Sequence, residues 1–358
     1  MLPHLLITHH FITSSLIKKD SPMLAELPPT TLTTRAPQME DVDAIVELFN
    51  AHSRDLFGEE PYRPENFTGM WTAPGFNLET DALVALSPDG EVIGYMDVGD
   101  QAEPHVLVGI SGRVHLRHRR QGIGTQLMQW AEQRARQAIE KAPADARVVM
   151  QSGCSNQDTS TIALLESQGF TATRHFFRML IEIDGAPPAP VWPDGLTMRA
   201  IDEKTELEEA VRTYQASFQD HWGYTEVPFE LMLQYIQHMM AHDSFHDSSL
   251  WFAAFDGDQM AAICLCDPRI GSREDTALVN ILGVRREWRK KGLGLAFLHH
   301  AFGEFYRRGI PRAVLGVDAG SLTGATRLYE RAGMRVERVN HTYGKVLREG
   351  KDLTTTSL

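Results

Sequence analysis

Val284-Arg285-Arg286-Glu287-Trp288-Arg289-Lys290-Lys291-Gly292-Leu293-Gly294 lies between an apolar run that ends at Val284 and an amphipathic segment that opens at Leu293. The same arrangement stands 170 residues earlier, as Val114-His115-Leu116-Arg117-His118-Arg119-Arg120-Gln121-Gly122-Ile123-Gly124. In both places a strand runs into a basic, glycine-containing loop that starts a helix. Glycine lets the backbone turn tightly and approach a ligand closely. The first amides of the helix have no partner inside it and carry the positive end of its dipole. That combination suits a pyrophosphate. Arg289, Lys290 and Lys291 add positive charge beside Gly292, Leu293 and Gly294, and Arg119, Gly122 and Gly124 repeat the pattern. Neither loop extends to G-x-G-x-x-G, because Leu127 and Phe297 hold the third-glycine position, and no G-x-x-x-x-G-K-[ST] occurs.

Other anchors recur at nearly the same offset. Leu32-Thr33-Thr34-Arg35-Ala36 returns as Leu196-Thr197-Met198-Arg199-Ala200, Asp89-Gly90 as Asp256-Gly257, and Gly169-Phe170 as Gly333-Met334. A period this long means two similar domains, not a solenoid. Between them, residues 184–195 contain Pro187, Pro188, Pro190 and Pro193, which continue neither a helix nor a central strand. The expected organisation is a domain over 30–183, a linker over 184–195 and a second domain over 196–350. Each copy reads as a short strand, a helix, a variable region, two strands around an Asp-Gly turn, and a third strand entering the loop. After the loop come a helix, another strand, a short helix ending at Gly169 or Gly333, and a final strand that closes the copy. In the first copy Asp41 is the expected N-cap. In the second, Leu295, Leu298, Phe302 and Phe305 form the stripe of a helix packed on a sheet. The fold class is α+β, with two mixed, mostly antiparallel sheets flanked by helices.

The chain has 358 residues, 42 % hydrophobic and 23 % charged, which is globular composition. A net charge of −12 argues against binding along a nucleic-acid backbone. Cys154, Cys264 and Cys266 have no metal spacing and read as buried thiols of a reducing cytoplasm. No run approaches the ~18 apolar residues of a membrane span. Residues 1–29 read as a disordered extension: His9 and His10 interrupt its apolar part and Lys18-Lys19 follow it, unlike a signal peptide. Met23 is a second candidate start.

Each half resembles the GNAT N-acetyltransferase superfamily. The family's acyl-CoA loop, [RQ]-x-x-G-x-[GA], matches Arg289, Gly292 and Gly294, and also Arg119, Gly122 and Gly124. Its A-x-x-L-Y-x-x-x-G segment matches Ala325, Leu328, Tyr329 and Gly333. The tandem layout, with the better-preserved motifs in the second half, is similar to the mycothiol synthase group of two-domain members. Asp220-His221-Trp222-Gly223 resembles a stretch of those proteins and is expected at the substrate. The resemblance implies acetyl-CoA as co-substrate, no metal, and transfer of acetyl to a small amine, amino sugar or amino-acid-derived acceptor. It places main-chain groups of Leu282, Gly283 and Val284 on the thioester and pantetheine, and makes Tyr329 the acid that protonates the sulfur. A phenol does this while staying neutral at pH 7.

The general base is left open. Asn280 stands where some relatives carry glutamate, and Glu274, Asp275, Asp220 and His221 are the nearby candidates. Leu165 holds the first-half position of Tyr329, so that half is expected to lack the acid. His238, His242 and His246 follow an i, i+4, i+8 rhythm, read as a histidine-rich face near the acceptor pocket in preference to a metal site. The rival reading is a non-catalytic acyl-CoA-binding or regulatory protein. The expected state is a cytoplasmic monomer or homodimer without nucleic-acid or membrane partners.

Overall fold

A computed structural model describes residues 32–321 and 324–355. The expected extension over 1–29 and the alternative start at Met23 lie outside the described residues. The first half supplies β1 (Thr33–Arg35), β2 (Ala82–Leu86), β3 (Val92–Gly99), β4 (Leu107–Val114), β5 (Val148–Ser155) and β6 (Thr171–Glu182). The second supplies β7 (Leu196–Ala200), β8 (Trp251–Asp256), β9 (Gln259–Asp267), β10 (Thr276–Val284), β11 (Arg312–Asp318) and β12 (Arg335–Arg348). The strands of each half follow the order read from the sequence.

The repeated Leu-Thr-x-Arg-Ala segment has a structural role. Arg35 reaches the Asp41 carboxylate at 2.6 and 2.8 Å, and Arg199 reaches Glu206 at 2.7 and 2.5 Å. In each half the first strand is thereby tied to the helix that follows, Val42–Phe57 or Glu203–Phe218. Asp41 does precede its helix, but its carboxylate is taken by Arg35 and the Gln38 amide and does not cap it.

Alternation along the strands separates two layers. In the second half Phe252, Ala254, Cys264 and Cys266 face the helix Leu293–Arg307, where Phe297, Leu298, Phe302 and Phe305 fill the core. Trp251, Ala253, Phe255, Ile263 and Leu265 face helices Glu203–Phe218 and Phe229–His242. Each large apolar side chain buried this way contributes about 1.5–3 kcal/mol. The first half repeats the layering, with helix Ile123–Ala135 on one face and helices Val42–Phe57 and Pro64–Trp71 on the other.

One expectation needs correction. The final strand of each copy does not close its own copy. The twelve strands form one sheet in the order β1-β2-β3-β4-β5-β12-β6-β11-β10-β9-β8-β7. β6 pairs with β11, from Arg312↔Glu182 to Asp318↔Phe176, while β12 inserts between β5 and β6. Each half is completed by the other's last strand, and the proline-rich segment 184–195 crosses between them outside regular strand. No helix among the described residues is long and apolar enough to cross a membrane.

Candidate active site

Both glycine loops have the same backbone. A single 3-10 turn (Leu116–His118, Arg286–Trp288) is followed by Arg120 or Lys290 at φ 62° and by Gly122 or Gly292 in the left-handed region. Gly292, at φ 97°, sits immediately before the helix Leu293–Arg307. A Cβ there would meet nothing within 4 Å, so the dihedral angle, not crowding, requires glycine. Gly294 has a different setting: a Cβ would lie 2.8 Å from Leu328 Cδ2, so its absence gives room to the Leu328 side chain of the small helix Ala325–Arg331. The first in-helix bond of the loop is Ala296 N to Gly292 O, which leaves the preceding amides facing outward beside the exposed Lys290 and Lys291.

Arg289 does not face outward with them. Its Nε donates to Val284 O at 3.0 Å and its Nη2 to Ser217 O at 2.9 Å, and Nη1 pairs with Asp220. Asp220, only 3 % exposed, also accepts from Arg286 through Nε at 3.0 Å and through Nη2. The Asp220 carboxylate therefore ties the loop to the end of helix Glu203–Phe218 from below. Arg289, expected among the phosphate ligands, is thus held by Val284, Ser217 and Asp220, and Asp220, expected at the substrate, is occupied by two arginines. His221 is stacked on Phe218 at 4.4 Å, and burial lowers its pKa. Trp222 lies under the Arg174 guanidinium, 5.3 Å away, and Arg174 in turn holds Asp318 at 2.7 and 2.8 Å. These three residues thus brace the loop and the end of β11.

The parallel pairing of β10 with β11 runs only from Thr276↔Arg312 to Leu278↔Val314. Beyond it the strands part, and the edge of β10 through Leu282, Gly283 and Val284 is left open toward β11. β10 also carries a bulge at Asn280, where its register against β9 shifts between Val279 and Ile281. Tyr329 comes from the small helix, buried among the apolar residues of the core, and burial raises its pKa well above the ordinary phenol value. It is therefore neutral at pH 7.

The sequence model of the Acetyltransferase (GNAT) family matches residues 42–170 and 207–334. The chain belongs to the GNAT acetyltransferase family. It is similar to a mycothiol acetyltransferase of Salinispora arenicola, 27 % identical over 271 residues that cover 70 % of this chain and 77 % of that one. A GCN5-related N-acetyltransferase structure from Sphaerobacter thermophilus superposes with TM-score 0.72 at 34 % identity, covering 92 % and 99 % of the two chains. A tandem GNAT protein from the clavulanic acid biosynthesis pathway has TM-score 0.65 at 16 % identity, covering 89 % and 100 %, a likeness of fold. The tandem GNAT organisation read from the repeats is therefore present.

Within this GNAT pair the halves differ at four matched places. β4 carries no bulge against β3: the register runs unbroken from Gly94↔Val114 to Gly99↔Gly109. Where β4 parts from β5, the Ser152 hydroxyl donates across the gap to Ile110 O at 3.3 Å. The second-half counterpart of Ser152 is Gly316, which has no side chain to bridge with. Leu165 stands for Tyr329, fully enclosed in the first core. Arg119 turns to His52, at 2.6 Å, whose other ring nitrogen lies 2.8 Å from Asp158.

A cavity of about 400 Å³ opens between the halves, reaching Asn280 and Ile281 of β10 on one side and Ser111 and Gln151 of the first half on the other. Of the candidate bases, none lines it. Glu274 is bound to Arg269 and Asp275 to Arg312 and Arg273. Four carboxylates do reach the cavity, Glu65, Asp97, Asp243 and Asp267, and of these Asp267, at the end of β9, accepts 3.1 Å from Asn280 Nδ2 at the β10 bulge. The sequence held a signal for it: Asp267 continues the i, i+2 alternation of Ile263 and Leu265 toward that face. Among the described residues no three His, Cys, Asp or Glu side chains are grouped to hold a metal ion. His238 bonds to Gly69 O, His242 to His238 O and His246 to Glu203; His242 and His246 border the cavity.

Proposed function

We propose that the chain is an acetyl-CoA-dependent N-acetyltransferase whose working site is the second half, with the acceptor amine entering from the cavity between the halves. The observation that carries this reading is the open, bulged β10 leading into the Gly292 loop with Tyr329 behind it. The first half shares the loop backbone but has an unbulged strand, a Ser152 bridge across the strand gap and Leu165 in place of the tyrosine. The residues fit the coenzyme. Outward amides from Lys290 to Gly294 and the two lysines would hold the diphosphate, and the free edge of Leu282–Val284 would pair with an amide-bearing pantetheine arm as a neighbouring strand does.

The coenzyme would supply an activated acetyl group as a thioester. The chain's own part is to orient it, to offer main-chain donors where charge develops on the carbonyl oxygen, and to return a proton to the sulfur from Tyr329. The apolar surroundings of Tyr329 keep the phenol protonated, so that its O–H is available to donate as negative charge develops on the sulfur.

Thiol release from acetyl-CoA with a panel of primary amines tests the reading. Turnover with one or more amines is expected. Coenzyme binding with no turnover of any amine would favour the acyl-CoA-binding alternative.

A further inference from the structure

The cavity walls are mostly apolar and come from both halves: Phe67 and Phe76 of the first, Tyr214, Met240 and Trp251 of the second. The charged groups at its border are largely committed elsewhere. Arg63 stacks on Phe245 with its guanidinium carbon 3.7 Å from the ring centre and lies 3.7 Å from Asp243. Arg269 covers the same ring at 3.2 Å and is bound to Glu274. Arg113 donates to Gly112 O. His242 and His246 have the partners given above. Of the four carboxylates in the lining, Glu65 and Asp97 belong to the first half and Asp243 lies beside Arg63, whereas Asp267 stands against the Asn280 amide at the bulge of the strand that leads into the Gly292 loop.

We propose that this cavity takes an apolar primary amine, an aryl- or alkyl-bodied acceptor whose ammonium end is received by Asp267 beside Asn280. The inference rests on the second half being the acetyl-transfer site. Aromatic walls desolvate such a body favourably, at about 25 cal/mol per Å², whereas each buried sugar hydroxyl left without a partner costs about 1–3 kcal/mol. An apolar body is therefore favoured over an amino sugar, and a volume of about 400 Å³ is in the range of a drug-sized ligand. Asp267 would take one proton from the ammonium, freeing the nitrogen lone pair. The C–N bond then forms and the C–S bond breaks. Of the nitrogen's three protons, one stays on the amide, one ends on the coenzyme sulfur and one leaves through Asp267. Burial and the facing Asp243 push the Asp267 pKa up to about 7, against the opposing pull of His246, Asn280 and Arg63, so the carboxyl gains and loses a proton readily near neutrality.

Wild type and Asp267→Asn are compared by thiol release with 2-phenylethylamine and glucosamine, and by calorimetry with acetyl-CoA and with 2-phenylethylamine alone. The expected result is a kcat/KM at least 100-fold higher for 2-phenylethylamine. The variant should lose about 100-fold of it while keeping its acetyl-CoA Kd within twofold. Glucosamine turned over as well as 2-phenylethylamine would overturn the acceptor class. An Asp267→Asn variant within threefold of wild type would overturn the role of Asp267. If no amine is acetylated, heat from 2-phenylethylamine that vanishes in the variant still supports the cavity assignment while the transfer reading fails; no heat in either protein sinks the assignment itself.

Discussion

Replacing Asp220 with asparagine separates two roles for the segment Asp220–Trp222. In the structure both carboxylate oxygens are used, one by Arg286 Nη2 and the other shared by Arg286 Nε and Arg289 Nη1. Asparagine keeps one acceptor oxygen and turns an NH2 group toward a guanidinium, so at least one charge-assisted bond is lost. Such a bond is worth about 1.5–3 kcal/mol. Asp220 is nearly inaccessible but Arg286 is well exposed, which places the expected loss at the lower end, about 2 kcal/mol. The variant is unfolded in urea and titrated with acetyl-CoA by calorimetry. We expect lower stability by that amount together with an acetyl-CoA Kd raised about 10-fold, because the strut that fixes the loop is loosened. The acceptor KM at saturating acetyl-CoA should stay within about twofold. A variant with unchanged stability and unchanged acetyl-CoA affinity, but a raised acceptor KM, would refute the clamp and return Asp220 to the substrate.

The remaining predictions concern the acid, its missing counterpart and a buried carboxyl. Tyr329→Phe should lower kcat about 100-fold and leave the acetyl-CoA Kd within twofold, measured by thiol release and calorimetry; Leu165→Tyr should change neither. Asp97, 7 % exposed, has its pKa pushed by burial from 3.8 up to about 7. Between about pH 4 and pH 7 the folded chain keeps a proton that the unfolded chain has released, so this group's effect on stability worsens as pH rises and then levels off. Asp97→Asn should therefore be more stable than wild type at pH 8, by up to about 4 kcal/mol at 1.36 kcal/mol per pK unit, and should match it near pH 4. Denaturation in urea at the two pH values checks this, and an equal difference at both would exclude the assigned ionisation.

Much of the architecture was legible because its determinants are local. A left-handed glycine before a helix, an Asp-Gly turn and an apolar stripe on a helix are each written within a dozen residues, and each occurs twice. The exchange of β6 and β12 was not legible, since both are long final strands of similar pattern and nothing local states which neighbour each pairs with. The direction of Arg289 was hidden for a related reason: its partner Asp220 lies 69 residues away, and an arginine beside glycines reads equally as phosphate ligand or strut. Asp267 was missed because the pairing of β9 with β10 brings it to Asn280, across 13 residues and a bulge. The cavity between the halves lay furthest from the sequence signal, being built from segments of both halves that share no motif.

The account rests on one coenzyme site in the second half, built on the Gly292 turn. Acetyl-CoA is titrated by calorimetry into wild type, Gly292→Val and Gly122→Val. We expect one equivalent bound by wild type, the same stoichiometry with Gly122→Val, and at least a 50-fold weaker Kd with Gly292→Val, whose φ of 97° a branched side chain adopts only with strain. No heat with wild type, or binding that survives Gly292→Val and disappears with Gly122→Val, would contradict it.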